Sequence, residues 1–300
     1  MVLKSLNDLK NIVAGGPRKK LVLATAQDQH SLSAVIRAWK DDIVEPILVG
    51  DREGIQNICD SNNYDITGLS IIHEPDIDAA VEMSVKMASG KQVDILMKGK
   101  VGTSTLLKCV LNKEWGLRTG NLLSHFALFE VETYHKVIAV TDVAMNIAPN
   151  LQEKIAIINN SVACLIKLGY IMPKVAVLGA VEMVNENMEA TLHAALLSKM
   201  YQRDQIKNCI IDGPLAFDNA VSLESAQHKG IRSEVAGDTD LLLMPDIEVG
   251  NVLYKSLVFF AKAKVASLIL GARVPIVLTS RSDSEQAKYD SILLSAAASK

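Results

Sequence analysis

Three aliphatic runs between residues 208 and 280 each end in a polar cluster, and this punctuation restricts the folds open to the chain more than any other feature. The runs 208–213, 239–246 and 275–280 lead into Asp212-Gly213-Pro214, into Asp246 through Asn251, and into Thr279-Ser280-Arg281-Ser282-Asp283. Near-continuous Val/Ile/Leu runs are the signature of parallel strands buried on both faces. In open α/β sheets, ligands bind just beyond the carboxyl ends of such strands. The segment therefore reads as one edge of a binding cleft.

The same rhythm fills the rest of the chain. Strands are expected at 19–26, 45–51, 69–74, 93–99, 174–180 and 266–271, separated by segments with apolar residues at helical spacing. The runs 126–131 and 136–142 are joined by a short polar link and read as a hairpin, which makes the sheet mixed. Alternating strands and helices predict two doubly wound α/β domains. At 300 residues the chain has room for roughly two domains. The expected division is 1–147 plus 273–300 as one domain and 148–272 as the other. The break falls at the turn-like MNIAPN (145–150), and the last strand and helix rejoin the first domain.

Composition excludes several classes. A net charge of −3 offers no footprint for a polyanion, so no nucleic-acid partner is expected. The four cysteines, Cys59, Cys109, Cys164 and Cys209, form no CxxC pair, which argues against zinc and disulfides and suits a reducing cytoplasm. Residues 1–16 lack the apolar core of a signal peptide, and no apolar run approaches the ~18 residues that span a bilayer, so a soluble protein with no membrane partner is expected.

Three strand ends carry the chemistry. KGKVGTST (98–105) follows a strand and opens a helix. Backbone amides there, with Lys98, Lys100, Thr103 and Ser104, suit a phosphate; the plainer alternative is a Ser/Thr helix cap with solvated lysines. The segment is neither a P-loop nor GxGxxG. Arg281 can clamp a phosphate or stabilise an oxyanion, while Asp283 is placed to cap the closing helix. Asp246, Glu248 and Asn251 surround another strand-to-helix turn; with no histidine or third close acid beside them, no metal is expected. The six histidines show no Ser/His/Asp order and read as structural or surface residues.

GPLAFDNAVS, VAG…D…PDIEVGN..YK, GARVPIVLTSRSDS and DVAMNIAPN, in this order and spacing, resemble the phosphate acetyl/butyryltransferase family, the butyryl branch more than the acetyl. The resemblance runs from the KGK segment to the closing helix. It implies a fold similar to isocitrate and isopropylmalate dehydrogenases, with two α/β domains flanking an active-site cleft, and a homodimer or higher homo-oligomer. It implies transfer of a short acyl group between coenzyme A and inorganic phosphate, with small-molecule substrates and no permanently bound cofactor. Ser280 and Arg281 match the family's catalytic pair, the serine orienting the thiol and the arginine stabilising the transition state. Lys98 through Thr105 match the segment near the coenzyme and phosphate, and Asp246, Glu248 and Asn251, in the matching PDIEVGN string, are expected to bind the coenzyme. The acetyl branch has an aspartate base where this chain has Ala287, and Asp283 is the nearest acid to replace it. Three other readings stay open on the sequence: a phosphate acetyltransferase of broader acyl range, a metal- and NAD(P)-dependent hydroxy-acid dehydrogenase of related fold, and a non-catalytic acyl-CoA binder.

Overall fold

The computed structural model describes residues 2–280 and 283–299. In chain order the elements are α1 (Asp8–Val13), β1 (Lys19–Ala24), α2 (Gln29–Lys40), β2 (Val44–Gly50), α3 (Arg52–Ser61), β3 (Ser70–His73), α4 (Ile77–Ser89), β4 (Ile95–Lys98), α5 (Thr103–Val110), β5 (Ser124–Glu130), β6 (Ile138–Thr141), α6 (Leu151–Lys167), β7 (Lys174–Leu178), α7 (Glu189–Gln202), β8 (Ile210–Leu215), α8 (Phe217–Val221), α9 (Leu223–His228), β9 (Leu241–Leu243), α10 (Ile247–Phe259), β10 (Lys264–Leu270), β11 (Ile276–Val277) and α11 (Glu285–Ala298). Backbone contacts divide the chain into two compact units. A mid-chain unit comprises Met1–Asp8 and Leu122–Val265, and a terminal unit comprises Leu9–Asn121 and Ala266–Lys300. The divisions at 121/122 and 265/266 lie N-terminal to the sequence boundaries at 147/148 and 272/273.

In the terminal unit the strand order is β3-β2-β1-β4-β11-β10. The first five run parallel, and β10 lies antiparallel to β11. The aliphatic runs that predicted these strands are buried: Leu21 to Ala24 and Ile95 to Met97 have no exposed surface. Helix α11 packs against α2 through Tyr289, a fully buried side chain whose hydroxyl donates to Asp41. The Arg37 guanidinium lies 3.9 Å from the centre of the same ring.

In the mid-chain unit the order is β5-β6-β9-β7-β8. The hairpin is present, β5 pairing antiparallel with β6, while β6, β9, β7 and β8 are parallel. The amino ends of β6, β7 and β9 are locked by charge. The buried Lys136 ammonium donates to Asp240 at 2.5 Å and to the Asp238 carbonyl at 3.0 Å. The second Asp240 oxygen accepts from the Lys174 backbone N–H at 2.8 Å. Asp238 also meets the Lys174 ammonium at 2.6 Å. Both units are thus mixed α/β with mostly parallel sheets, as the alternation of apolar runs predicts.

Candidate active site

The terminal unit brings three adjacent strand ends together. Strands β1, β4 and β11 are neighbours and parallel, so the segments after Ala24, Lys98 and Val277 emerge on one edge of the sheet. The first two touch through backbone. The Gly99 N–H donates to the Ala24 carbonyl and the Lys100 N–H to the Thr25 carbonyl, each at 2.9 Å. A Cβ on Gly99 would lie 2.2 Å from the Thr25 oxygen, so only glycine permits this approach. Thr25 sits at φ 57°, a left-handed conformation uncommon for a β-branched residue, and strain of that kind collects at functional sites. Beside it, the buried Gln27 Oε1 has no hydrogen-bond partner among the described residues.

Lys98 and Lys100 part company here. Lys98 is 5% exposed, and its ammonium donates to the carbonyls of Gly99 (3.2 Å) and Val101 (3.3 Å). Lys100 is exposed. Lys98 is therefore not part of the solvated lysine pair of the plainer reading. The residue capping α5 is Gly102, and no side chain caps the helix. A glycine at this position leaves the first-turn amides without a side-chain acceptor. Thr103 and Ser104 are exposed in that turn.

At the end of β11, Ser280 is exposed while Thr279 is buried. The expectation that Asp283 caps the closing helix is corrected. Ser284 is the cap, accepting from the Ala287 N–H at 3.1 Å. The Asp283 carboxylate instead turns back to accept from the Ser280 N–H at 2.7 Å. Burial pushes the Asp283 pKa up, against the Ser280 hydrogen bond and the charges of Lys288 and Lys98. A carboxylate raised in this way is a stronger proton acceptor than an ordinary aspartate. Arg281 lies outside the described residues.

Asp246, Glu248 and Asn251 belong to the mid-chain unit. Asp246 caps α10 by accepting from the Val249 N–H at 2.9 Å, and Glu248 is exposed in the first turn. Asn251 donates to the Val143 carbonyl at 3.3 Å. This ties α10 to the stretch after β6, where the buried Asp142 carboxylate accepts from the N–H groups of Ala144 (2.9 Å) and Met145 (3.0 Å) and from the Asn146 amide (2.6 Å). Gly250 allows the approach, because a Cβ there would lie 2.5 Å from the main-chain carbonyl oxygen of Asp142. His125 on β5 is buried, its Nδ1 without a partner among the described residues, and burial lowers its pKa to about 4 against the opposing charge of Asp142. The imidazole is neutral at pH 7, in keeping with a structural histidine. No group of three or more His, Cys, Asp or Glu among the described residues is placed to hold a metal.

Two contributors went unremarked in the sequence. Thr25 to Asp28 form the β1 end, where TAQD carries no motif. Lys288 lies on a helix and reads as one more surface lysine, yet it is buried at this site.

Residues 76–296 match the family model described as phosphate acetyl/butaryl transferase. The chain is 46% identical over 295 residues to a phosphate butyryltransferase of Clostridium acetobutylicum, covering 98% of each chain. It is also 46% identical over 284 residues to a phosphate acetyltransferase of Thermotoga maritima, covering 95% of this chain and 96% of the relative. Among solved structures, a branched-chain phosphotransacylase from Enterococcus faecalis V583 superposes with a TM-score of 0.82 at 34% identity, over 94% of this chain and 99% of that one. A weaker likeness of fold alone, to a protein assigned as a dehydrogenase (TM-score 0.57, 12% identity), agrees with the dehydrogenase-like α/β class.

Proposed function

Because the chain belongs to the phosphate acetyl/butaryl transferase family, we propose that it transfers a short acyl group, butyryl first among them, between coenzyme A and inorganic phosphate. The observation that most supports this is the pairing of β4 with β11. It sets the Lys98–Ser104 segment and Ser280, both assigned by resemblance to coenzyme, phosphate and catalysis, on neighbouring strand ends.

The reaction runs by direct attack in a ternary complex. A phosphate oxygen forms a bond to the thioester carbonyl carbon, and the electron pair of the C=O bond moves onto oxygen. Arg281 stabilises that oxyanion. The C–S bond then breaks and coenzyme A leaves as its thiolate. In reverse, the thiolate attacks the acyl phosphate, and Asp283 takes the thiol proton in place of the base missing at Ala287. Much of phosphate is already dianionic near pH 7, by analogy with the second pKa of about 6 in phosphoserine. A few per cent of a thiol with pKa about 8.5 is already thiolate there. Holding the two substrates in register therefore supplies much of the rate. Lys98, Lys100, Thr103 and Ser104, with the α5 amides, are the groups for phosphate oxygens, and Asp246, Glu248 and Asn251 serve the coenzyme.

Sequence identity does not separate the acyl chains, since the butyryl and acetyl relatives are equally similar. The butyryl preference rests on the motif resemblance. Four unpaired cysteines suit a cytoplasmic enzyme, and no helix among the described residues is long and apolar enough to cross a membrane. The exposed apolar side chains Val249, Val252, Phe259 and Phe260 of the α10 region support a homodimer.

The test is thiol release from acetyl-, propionyl-, butyryl- and branched acyl-CoA, with and without phosphate. Phosphate-dependent release fastest with butyryl-CoA is expected. Equal rates across chains would remove the butyryl preference, and no release from any substrate would overturn the reaction. Arg281→Ala should lower kcat by about 10²–10³-fold.

A further inference from the structure

The buried ammonium of Lys288 is an interior cation that the proposed reaction does not use. It sits one turn into α11 and is 3% exposed. Its Nζ donates to the Thr279 hydroxyl and to the Ser280 carbonyl, each at 3.0 Å. The Ser280 carbonyl also accepts from the Asp283 N–H at 3.2 Å, and the Ser280 N–H is held by the Asp283 carboxylate at 2.7 Å. Both main-chain polar groups of Ser280 are therefore clamped while its side chain stays exposed. Lys288 and Asp283 are the two jaws.

Burying a lysine is costly unless its donors are met, and a neutral side chain of similar length would fill the space without that cost. Two acids face this ammonium from different elements: Asp283 before α11, and Asp28, the N-cap of α2. Lys98 faces Asp283 from the end of β4. The corner thus alternates charges, Asp28, Lys288, Asp283 and Lys98, and Lys288 is the member bonded to the strand end that carries the serine.

We propose that Lys288 is a positioning residue for acyl transfer, holding Ser280 in its reactive geometry and keeping Asp283 ionised beside it. This rests on the reading of Ser280 and Asp283 as catalytic. The ammonium fixes the Ser280 carbonyl and, with Asp283, the orientation of the peptide unit from which the serine side chain projects. Its charge favours the carboxylate form of Asp283, the form able to accept a thiol proton. Burial opposes the charge on both Lys288 and Asp283, so each is sustained in part by the other.

The experiment compares wild type, Lys288→Met and Lys288→Arg for kcat, for KM of coenzyme A and acyl phosphate, and for kcat across pH 5–9, with thermal melts alongside. Lys288→Met is expected to fold, to lose kcat about 50-fold or more, and to keep KM for coenzyme A within about threefold. The acid limb of its kcat profile should move to higher pH, because removing the cation raises Asp283 further. Lys288→Arg, which keeps the charge but not the single-point geometry, should recover part of the rate and restore the acid limb. A purely structural lysine would lower Tm and amplitude while leaving the acid limb in place, and that result overturns the proposal, as does near-normal kcat in Lys288→Met. Should Lys288→Met not fold, Lys288→Arg decides: a fivefold or larger loss of kcat at unchanged KM supports the role, and wild-type kinetics refute it. Failure of the proposed function is a separate outcome, since wild type itself would then release no thiol.

Discussion

Substituting Gly99 by alanine tests whether the meeting of two strand ends organises the site. The new Cβ would stand 2.2 Å from the Thr25 carbonyl oxygen, 2.7 Å from that of Ala24 and 2.9 Å from the Thr25 carbonyl carbon. All three are backbone atoms, so no side chain can swing aside. Reaching ordinary contact at about 3.4 Å requires the two segments to part by over an ångström. That displacement breaks the Gly99-to-Ala24 and Lys100-to-Thr25 hydrogen bonds, both now 2.9 Å. Overpacking contributes about 1–3 kcal/mol and each of the two lost bonds about 0.5–1.5 kcal/mol, which together put the penalty at about 2–6 kcal/mol. For domains of about 150–250 residues, 1 kcal/mol moves Tm by about 2–4 °C, so a fall of about 4–24 °C is expected. Calorimetry on Gly99→Ala and on Gly102→Ala measures it. A Cβ on Gly102 would meet its nearest atoms at 3.7 Å and 3.9 Å, so that variant should lose less than about 1 kcal/mol. Thiol release should fall more steeply than stability in Gly99→Ala, because the shift moves Lys98 and Lys100. A Gly99→Ala protein that melts with wild type and turns over normally refutes the reasoning.

Two further outcomes concern the mid-chain unit. Asp240→Ala leaves the Lys136 ammonium buried beside Asp238 alone and should cost about 3 kcal/mol, while the double replacement Lys136→Met with Asp240→Leu should recover most of it; urea melts showing the single variant within 1 kcal/mol of wild type would dismiss the lock. His125, lowered to about 4 by burial, takes up its proton near pH 6.5 in the unfolded chain. Stability from its neutrality is complete above pH 6.5 and drains away as pH falls towards 4, by up to about 3 kcal/mol; equal pH dependence of urea melts in wild type and His125→Phe would sink this reading.

The fold was legible because the strands are aliphatic runs bounded by polar clusters. The run 126–131 overlaps β5 and the run 136–142 spans β6. The sequence overestimated β11, expected over 275–280 and reduced to Ile276–Val277. The chain leaves the ladder there because Thr279 and Ser280 are drawn to Lys288, a contact across sequence that periodicity does not register. The same limit hid Lys288 itself. A lone lysine on a helix reads as solvated, and only the return of α11 onto α2 through Tyr289 buries it. Asp283 was visible as an acid beside a helix start, but Ser284 competes for the capping role. The KGK segment carried a pattern that suits a phosphate in Lys98, Lys100, Thr103 and Ser104, whereas the TAQD corner has no such signal, since Thr25 stands out through a backbone angle and not a side-chain type.

The terminal unit is assembled from the two ends of the chain, and β11 is inserted between β4 and β10 in its sheet. Ser280, Asp283 and Lys288 are therefore translated only after the whole of Leu122–Val265, at about 5–20 residues per second. Until then the edge of β4 that receives β11 waits unpaired. A polypeptide truncated before β11 leaves that edge of β4 open and lacks Ser280, Asp283 and Lys288 together.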